Sequence, residues 1–183
     1  MLVLQNCEPV AALAERFINE RTDREFPIKM IPAIRQEVVA LLWHELPDDV
    51  DSLMLYDDAS DSATVLVNSK LRGVSGRLRF TLAHELGHIL MLRNGMKCTE
   101  ELCDEFAGAL LMPEREFLRQ RGATLEQRTV KFGVSKTAVW RRASRIAELQ
   151  WERDIHARID DVIKYGDDFT RMLQAAIDGE YWC

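Results

Sequence analysis

The sequence contains no apolar run long enough to cross a lipid bilayer. Its first eight residues, MLVLQNCE, also lack the basic start and the long apolar core of a secretory signal. Both absences argue against a membrane protein and against an exported one. We therefore expect a cytoplasmic protein that has no membrane among its partners.

Cysteine is scarce as well, with four residues that are unevenly spaced and form no C-x-x-C pair. This pattern excludes an obvious disulfide framework and predicts reduced thiols. No pairing of a histidine with a cysteine has a local context that would activate a thiol, so we discount cysteine-protease chemistry. With 183 residues, 47% of them hydrophobic, the chain is long enough to bury one good core.

Histidine is equally rare, yet two of the four histidines belong to the motif H-E-x-x-H, which runs from His84 to His88. The motif lies inside an apolar run, residues 80–92, that predicts a buried helix. Histidines four residues apart share one helical face, so both imidazoles can bind a single Zn²⁺. Glu85 lies on the neighbouring face, where it can reach a metal-bound water. The alternative is a pair of core histidines held by hydrogen bonds.

A catalytic zinc site usually has three protein ligands and an open fourth position, so one ligand remains to be found. The next predicted helix, residues 100–112, offers four acidic side chains. Its apolar stripe places Glu100 and Asp104 near the buried face and turns Glu101 further away. We predict that Glu100 binds the metal and that Asp104 accepts the second N–H of a ligand histidine. The alternative is a solvated acidic face.

Two cysteines, Cys98 and Cys103, flank the predicted ligand Glu100. Their oxidation, or adventitious metal binding by them, could interfere with the site, although ordinary helix packing is the expected role. The identity of the ion is an inference from the ligand types, because Mn²⁺ or another divalent ion could occupy the same set of two nitrogens and one oxygen.

Three blocks of sequence together carry a family resemblance. They are R-x-R-F-T-L-A-H-E-L-G-H from Arg77 to His88, E-x-x-C-D-x-F-A from Glu100 to Ala107, and L-L-M-P from Leu110 to Pro113. In this order they resemble the ImmA/IrrE family of bacterial and phage zinc metallopeptidases, over residues 53–143. The Cys-Asp pair at 103 and 104 departs from the family's usual Ala-Asn, and the resulting E-x-x-x-D spacing is similar to that of the third-ligand helix in thermolysin-like enzymes.

The resemblance implies one zinc per chain, bound by His84, His88 and Glu100, with Glu85 as the catalytic acid and base. It also implies a narrow protein substrate, typically a helix-turn-helix transcriptional repressor whose cleavage derepresses phage, mobile-element or stress genes. In this family a helix-turn-helix-like segment is commonly part of the peptidase fold.

A β-hairpin is predicted just before the zinc helix. Residues 53–56 and 63–68 are strand-like segments between polar turns rich in aspartate. Peptidases commonly hold a substrate as an extra strand on the edge of a sheet, so we predict that Val65, Leu66 and Val67 are the substrate strand. The alternative is that the hairpin only covers the core.

Apolar periodicity predicts amphipathic helices at residues 9–19 and 32–46, the second ended by Pro47. With the hairpin, these elements predict an α+β fold. More specifically, we expect a mostly helical zincin-like metallopeptidase with a small antiparallel sheet and a helix-turn-helix-like segment.

Residues 124–149 are typical of a helix-turn-helix. A capping box at Thr124 begins a short helix, Gly133 ends it, and Ser135 caps a second helix. Residues 115–145 contain nine basic and two acidic side chains, so direct DNA binding is a candidate function. We favour the alternative that the two helices pack on the peptidase core.

We predict three segments: a zincin-like core over residues 1–121, the helix-turn-helix-like segment packed on that core over 122–149, and a helical C-terminal tail over 150–183. The predicted function is that of a zinc-dependent metalloendopeptidase that cleaves a specific protein, a transcriptional repressor. Two alternatives stay open. One is a DNA-binding regulator with a structural or vestigial zinc site, and the other is a toxin–antitoxin or immunity partner.

Overall fold

The computed structural model describes residues 7–21 and 25–155. The helices are α1 (Cys7–Glu20), α2 (Met30–Arg35), α3 (Ser75–Arg93), α4 (Glu100–Leu111), α5 (Glu114–Arg119), α6 (Leu125–Phe132) and α7, which covers residues 136–155. The strands are β1 (Ala40–His44), β2 (Ser52–Asp57) and β3 (Ser62–Asn68), and a 3₁₀ helix, Ser69–Gly73, follows β3. This is the mostly helical α+β fold that the sequence predicts.

The chain divides into two compact units, residues 1–142 and 143–183. The first unit contains all the elements up to the start of α7. Of the second unit, residues 143–155 are described and are helical, and the rest of the predicted C-terminal tail lies outside the described residues. In the described part of the chain, no helix combines the length and the apolar character needed to cross a membrane.

The three strands form one mixed sheet in the order β1-β3-β2. Strands β2 and β3 pair antiparallel, which confirms the predicted hairpin, and β1 pairs parallel with β3 on its other side. Ala63, Val65 and Val67 of β3 are buried on the inner face of the sheet. The sheet therefore has a third, parallel strand that the sequence analysis did not anticipate.

The predicted helix over residues 32–46 is wrong. The chain is helical only as far as Arg35, and residues 40–44 form β1. The apolar residues of this segment fit helical spacing, but the run V-V-A-L-L-W also has the β-branched and aromatic composition of a strand. Pairing with β3 at five successive positions decides between the two.

Helix α3 carries the H-E-x-x-H motif, and it is buried on most of its surface, as the sequence predicts. Its closest neighbour is α4. A Cβ atom built on Gly87 would lie 3.0 Å from Cδ1 of Phe106 in α4, so a larger residue at this position would require the Phe106 ring to shift. This close packing lets the first turn of α4 lie beside the motif.

The start of α3 is fixed by Arg79. Its guanidinium donates hydrogen bonds to the carbonyl of Ile28 at 2.5 Å, of Phe132 at 3.1 Å and of Gly133 at 3.0 Å, and burial lowers its pKa. Gly133 has a φ of +63°, and a Cβ there would lie 2.9 Å from Pro27. The end of α6 is thereby held against the start of the zinc-motif helix.

Helix α6 begins at the predicted capping box, in which Thr124 and Gln127 exchange side-chain and backbone hydrogen bonds. Its last residue, Phe132, is fully buried between Phe26 and Phe117, with ring centroids 5.7 and 6.0 Å away. The first helix of the helix-turn-helix-like segment thus packs against the same unit that carries the zinc motif.

Candidate functional site

Three side chains that could bind a metal converge at one side of α3. The Nε2 atoms of His84 and His88 lie 3.1 Å apart. The carboxylate of Glu100, in the first turn of α4, lies 3.1 Å from Nε2 of His84 and 3.5 Å from Nε2 of His88. The helical spacing of the motif and the close approach of α4 together produce this cluster.

These distances fit a metal ion. Donor atoms about 2.1 Å from a tetrahedral zinc lie roughly 3.4 Å apart. The two Nε2 atoms are 3.1 Å apart, and Glu100 places Oε2 3.1 Å from His84 and Oε1 3.5 Å from His88, so the separations are close to that value although two carboxylate oxygens share them. The side chain of Glu100 is 78% exposed, so the cluster opens toward solvent on the α4 side. A substrate or a water could therefore reach a fourth position.

A second combination of ligands is also present. The ligand atoms of His84, His88 and Cys103 lie within 4.8 Å of one another, so these three residues could hold a metal ion. Burial, with the adjacent Cys98, raises the pKa of the Cys103 thiol and disfavours the thiolate that a metal requires. Glu100 and Cys103 are thus alternative third ligands beside the two histidines.

Each histidine has a partner on its other ring nitrogen. Nδ1 of His84 lies 2.8 Å from Oδ1 of Asp104, where the sequence analysis expected an acceptor. Nδ1 of His88 lies 3.0 Å from Sγ of Cys98, a partner that the analysis did not identify. When Nδ1 carries the proton in both rings, the lone pairs of both Nε2 atoms are free for a metal.

The electrostatic surroundings of the two imidazoles differ. Burial opposes protonation of His84, but the hydrogen bond and charge of Asp104, together with Glu85 and Glu100, raise its pKa overall. Burial and the nearby His84 lower the pKa of His88. Three carboxylates therefore surround the two rings, and their field favours a bound cation.

Glu85 is buried, with 6% of its surface exposed, and a residue of the sheet holds its carboxylate in place. The hydroxyl of Ser52, in β2, donates a hydrogen bond to Oε1 of Glu85 at 2.5 Å. The second carboxylate oxygen can then accept a proton from a reacting water. Sequence analysis missed Ser52, because 33 residues separate it from Glu85 and no motif marks it.

Glu101, the competing acid, is engaged elsewhere. Its carboxylate accepts hydrogen bonds from its own backbone amide and from the hydroxyl of Thr99, and both lower its pKa. It therefore belongs to the N-terminal cap of α4. This arrangement explains physically why Glu100, and not Glu101, meets the two histidines.

The predicted substrate strand needs a correction. Val65, Leu66 and Val67 belong to β3, which is the central strand and is paired on both sides. They have no free edge to which a peptide could add. Among the described residues, the free sheet edge nearest Glu85 belongs to β2, the strand that carries Ser52.

Most of the nine basic residues between positions 115 and 145 are engaged within the protein. Arg142 is 5% exposed and pairs with Glu105 at 3.0 Å. Ion pairs or aromatic contacts also engage five further basic residues: Arg119 with Glu116, Arg128 with Phe117, Lys131 with Phe26, Lys136 with Glu126, and Arg145 with Glu148. The local excess of positive charge is therefore a poor indication of a DNA-binding surface.

Comparisons with known proteins agree with the fold. A solved structure described as a Mycobacterium tuberculosis transcriptional regulator matches with a TM-score of 0.55 at 22% sequence identity, covering 74% of this chain. The match covers 55% of that structure, so the present chain corresponds to only about half of it. No curated protein matches the sequence significantly. The family model Peptidase_M78, described as "IrrE N-terminal-like domain", matches residues 44–144, more than half of the 183 residues, and the chain belongs to that family.

Proposed function

We propose that this protein is a zinc-dependent metalloendopeptidase that hydrolyses a peptide bond in one specific protein, a helix-turn-helix transcriptional repressor. The observation that carries the proposal is the convergence of His84, His88 and Glu100 at tetrahedral ligand spacing beside the buried carboxylate of Glu85. Membership of a peptidase family supports the same class of reaction.

The residues have distinct tasks in this reaction. His84, His88 and Glu100 would hold one zinc ion, which supplies Lewis-acid chemistry toward water and the scissile carbonyl. Glu85 takes a proton from the attacking water on the carboxylate oxygen that Ser52 does not bond, and delivers it to the leaving nitrogen. The bond is hydrolysed without a covalent link to the enzyme.

The edge of β2 is suited to hold the substrate. The amide of Asn68 donates to the carbonyl of Asp51, so alternate residues from Asp51 onward direct their main-chain groups toward β3. The intervening residues, Ser52, Met54 and Tyr56, direct theirs toward the free edge. A substrate strand added there would use main-chain hydrogen bonds and would lie beside Glu85.

Replacing Met54 by proline should raise KM for the protein substrate by roughly tenfold while the metal content stays normal. The substitution removes one outward-facing N–H, and proline is tolerated on an edge strand when the ladder does not need that donor. Leu55→Pro is the control for general damage, because its N–H bonds to β3, and it should destabilise the fold. An unchanged KM for Met54→Pro would exclude β2 as the substrate strand.

DNA binding is a less favoured alternative. It would rest on α6 and α7, but most of the basic side chains of these helices already have partners within the protein. We therefore propose that the partner is a protein.

Incubation with candidate repressors tests the proposed function. The zinc-loaded chain, its chelator-treated form and a zinc-restored sample would each be incubated with purified helix-turn-helix repressors from the source genome. Mass spectrometry should find one cleavage product, absent after chelation and recovered with zinc. A stoichiometric complex without cleavage would instead indicate a sequestering partner, and no metal in the purified chain would contradict the proposal.

A further inference from the structure

The outer face of the sheet is an apolar surface without a covering element among the described residues. Leu42, Leu66 and Leu53 are registered side by side across the three strands, and Leu55 follows on β2. Leu42, Leu53 and Leu55 are 50%, 47% and 63% exposed. We call these four leucines the outer leucine surface. The solvated face of a sheet normally carries polar side chains, so four leucines there are unusual.

Its surroundings are strongly acidic. From residue 36 to 69, the part of the sequence that forms the sheet, there are eight acidic residues and no lysine or arginine. Three of the eight pair with basic residues from elsewhere in the chain: Glu37 and Asp61 with Arg93, and Asp51 with Lys70 and Arg77. Asp57 lies on the outer face next to Leu55, and Asp58 follows in the turn. Among the described residues, neither forms an ion pair with a lysine or an arginine. The outer leucine surface is thus bordered by unneutralised negative charge.

The dimensions suit a helix. Strands are about 4.8 Å apart, so β1 and β2 lie roughly 10 Å from each other across β3, which is close to the diameter of one helix. One amphipathic helix could cover the leucines, and basic side chains at its margins would meet the acidic border.

The charge of each possible occupant decides which of them suits the outer leucine surface. A second copy of the chain would bring the same acidic border and would be repelled. Residues 156–183 carry six acidic and three basic side chains, so by charge they match the surface poorly as well. A basic amphipathic helix of another protein is complementary to the surface in both its apolar face and its charge.

We infer that the outer leucine surface is an exosite that binds a basic amphipathic helix of the protein substrate, apart from the residues that perform hydrolysis. The inference rests on the proposed function as far as it identifies the partner with the substrate. It narrows the substrate to proteins that present such a helix near the cleaved segment. Because β2 contributes both the outer leucines and the free edge, one substrate could occupy both.

Fluorescence anisotropy with a designed peptide tests the surface directly. The probe is a 14-residue peptide of leucine and lysine with leucines at helical spacing, and its control replaces every lysine by glutamate. The full chain should bind the lysine peptide, more weakly as salt increases, and should not bind the glutamate peptide. Equal binding of both peptides would overturn the inference.

Substitutions on the outer leucine surface test whether the lysine peptide binds there. Simultaneous Leu42→Ser, Leu53→Ser and Leu55→Ser substitutions should weaken binding of the lysine peptide at least about tenfold. The control is Val130→Ser, at a still more exposed apolar residue of α6, and it should have no effect. Asp57→Asn with Asp58→Asn should weaken binding about threefold and reduce its salt dependence, since asparagine can still accept the hydrogen bond from Ala59. Unchanged affinity in both sets would overturn the inference.

Two further measurements separate this inference from the proposed function. Glu85→Gln should bind the lysine peptide normally, so the exosite can be detected even if the chain cleaves nothing. If a substrate is cleaved, the triple leucine variant should raise KM for the intact protein and leave cleavage of a short peptide across the scissile bond unchanged. A dimer in sedimentation that the triple variant abolishes would make a second copy the occupant and overturn the inference.

Discussion

Replacing Glu85 by glutamine should lower kcat for cleavage of the protein substrate by about 10²- to 10⁴-fold and leave the zinc content of the chain unchanged. Glutamine keeps the length of the side chain and can still accept a hydrogen bond from Ser52, but it cannot take a proton from the attacking water. Single-turnover cleavage, with metal content measured on the same samples, checks both parts of this expectation.

The matched control is Glu101→Gln, the same substitution on an acid whose carboxylate accepts hydrogen bonds at the N-terminus of α4, from Thr99 and from its own backbone amide. It should retain normal kcat and normal zinc. If Glu85→Gln cleaved at the normal rate, Glu85 would not be the acid and base. If it lost zinc, the buried carboxylate would serve the metal site and not proton transfer.

The parts of this protein that the sequence predicts correctly are local. The H-E-x-x-H spacing, the apolar run around it and the capping box at Thr124 each depend on residues within one or two helical turns. The structure shows a buried α3 and a capped α6 at these places. The meeting of Glu100 with the histidines also follows from local pattern, because the apolar stripe of α4 fixes which acid faces α3.

The wrong prediction of a helix over residues 32–46 and the wrong choice of substrate strand have one cause. The segment that forms β1 fits helical spacing, and only its pairing with β3, 24 residues further along the chain, makes it a strand. Without β1, the hairpin seems to leave one edge of β3 free, and Val65 to Val67 become reasonable candidates for the substrate strand. The parallel strand β1 occupies that edge. Predicting β1 as part of a helix therefore also led to the wrong strand being chosen for substrate binding.

The side chains that support the reacting groups could not be predicted, for a related reason. Ser52 reaches Glu85 from a strand 33 residues earlier, and Cys98 reaches His88 across the loop between α3 and α4. Neither contact follows from periodicity, because each depends on how the sheet or the loop packs on α3. Serine and cysteine are also common in roles without chemistry, so composition does not single them out.

The choice between the two ligand sets decides the chemistry of the metal. Glu100 gives two nitrogens and one oxygen, whereas Cys103 would give a softer set with sulfur. A buried thiol with a raised pKa is the weaker candidate, because a metal binds the thiolate. The exposed Glu100 is not fixed by packing, so the ion itself would hold it in place.

Replacing Glu100 by alanine should therefore weaken zinc binding by at least about a hundredfold and release the metal on dialysis, because loss of a group that only supports a ligand already costs about 10- to 100-fold. Glu101→Ala is the matched control and should retain one zinc per chain. Cys103→Ser should also retain it, because sulfur is not among the proposed ligands. Plasma mass spectrometry on the three variants and the parent measures the metal directly. Retention in Glu100→Ala together with loss in Cys103→Ser would assign the site to His84, His88 and Cys103, and the catalytic proposal would then need a different third ligand.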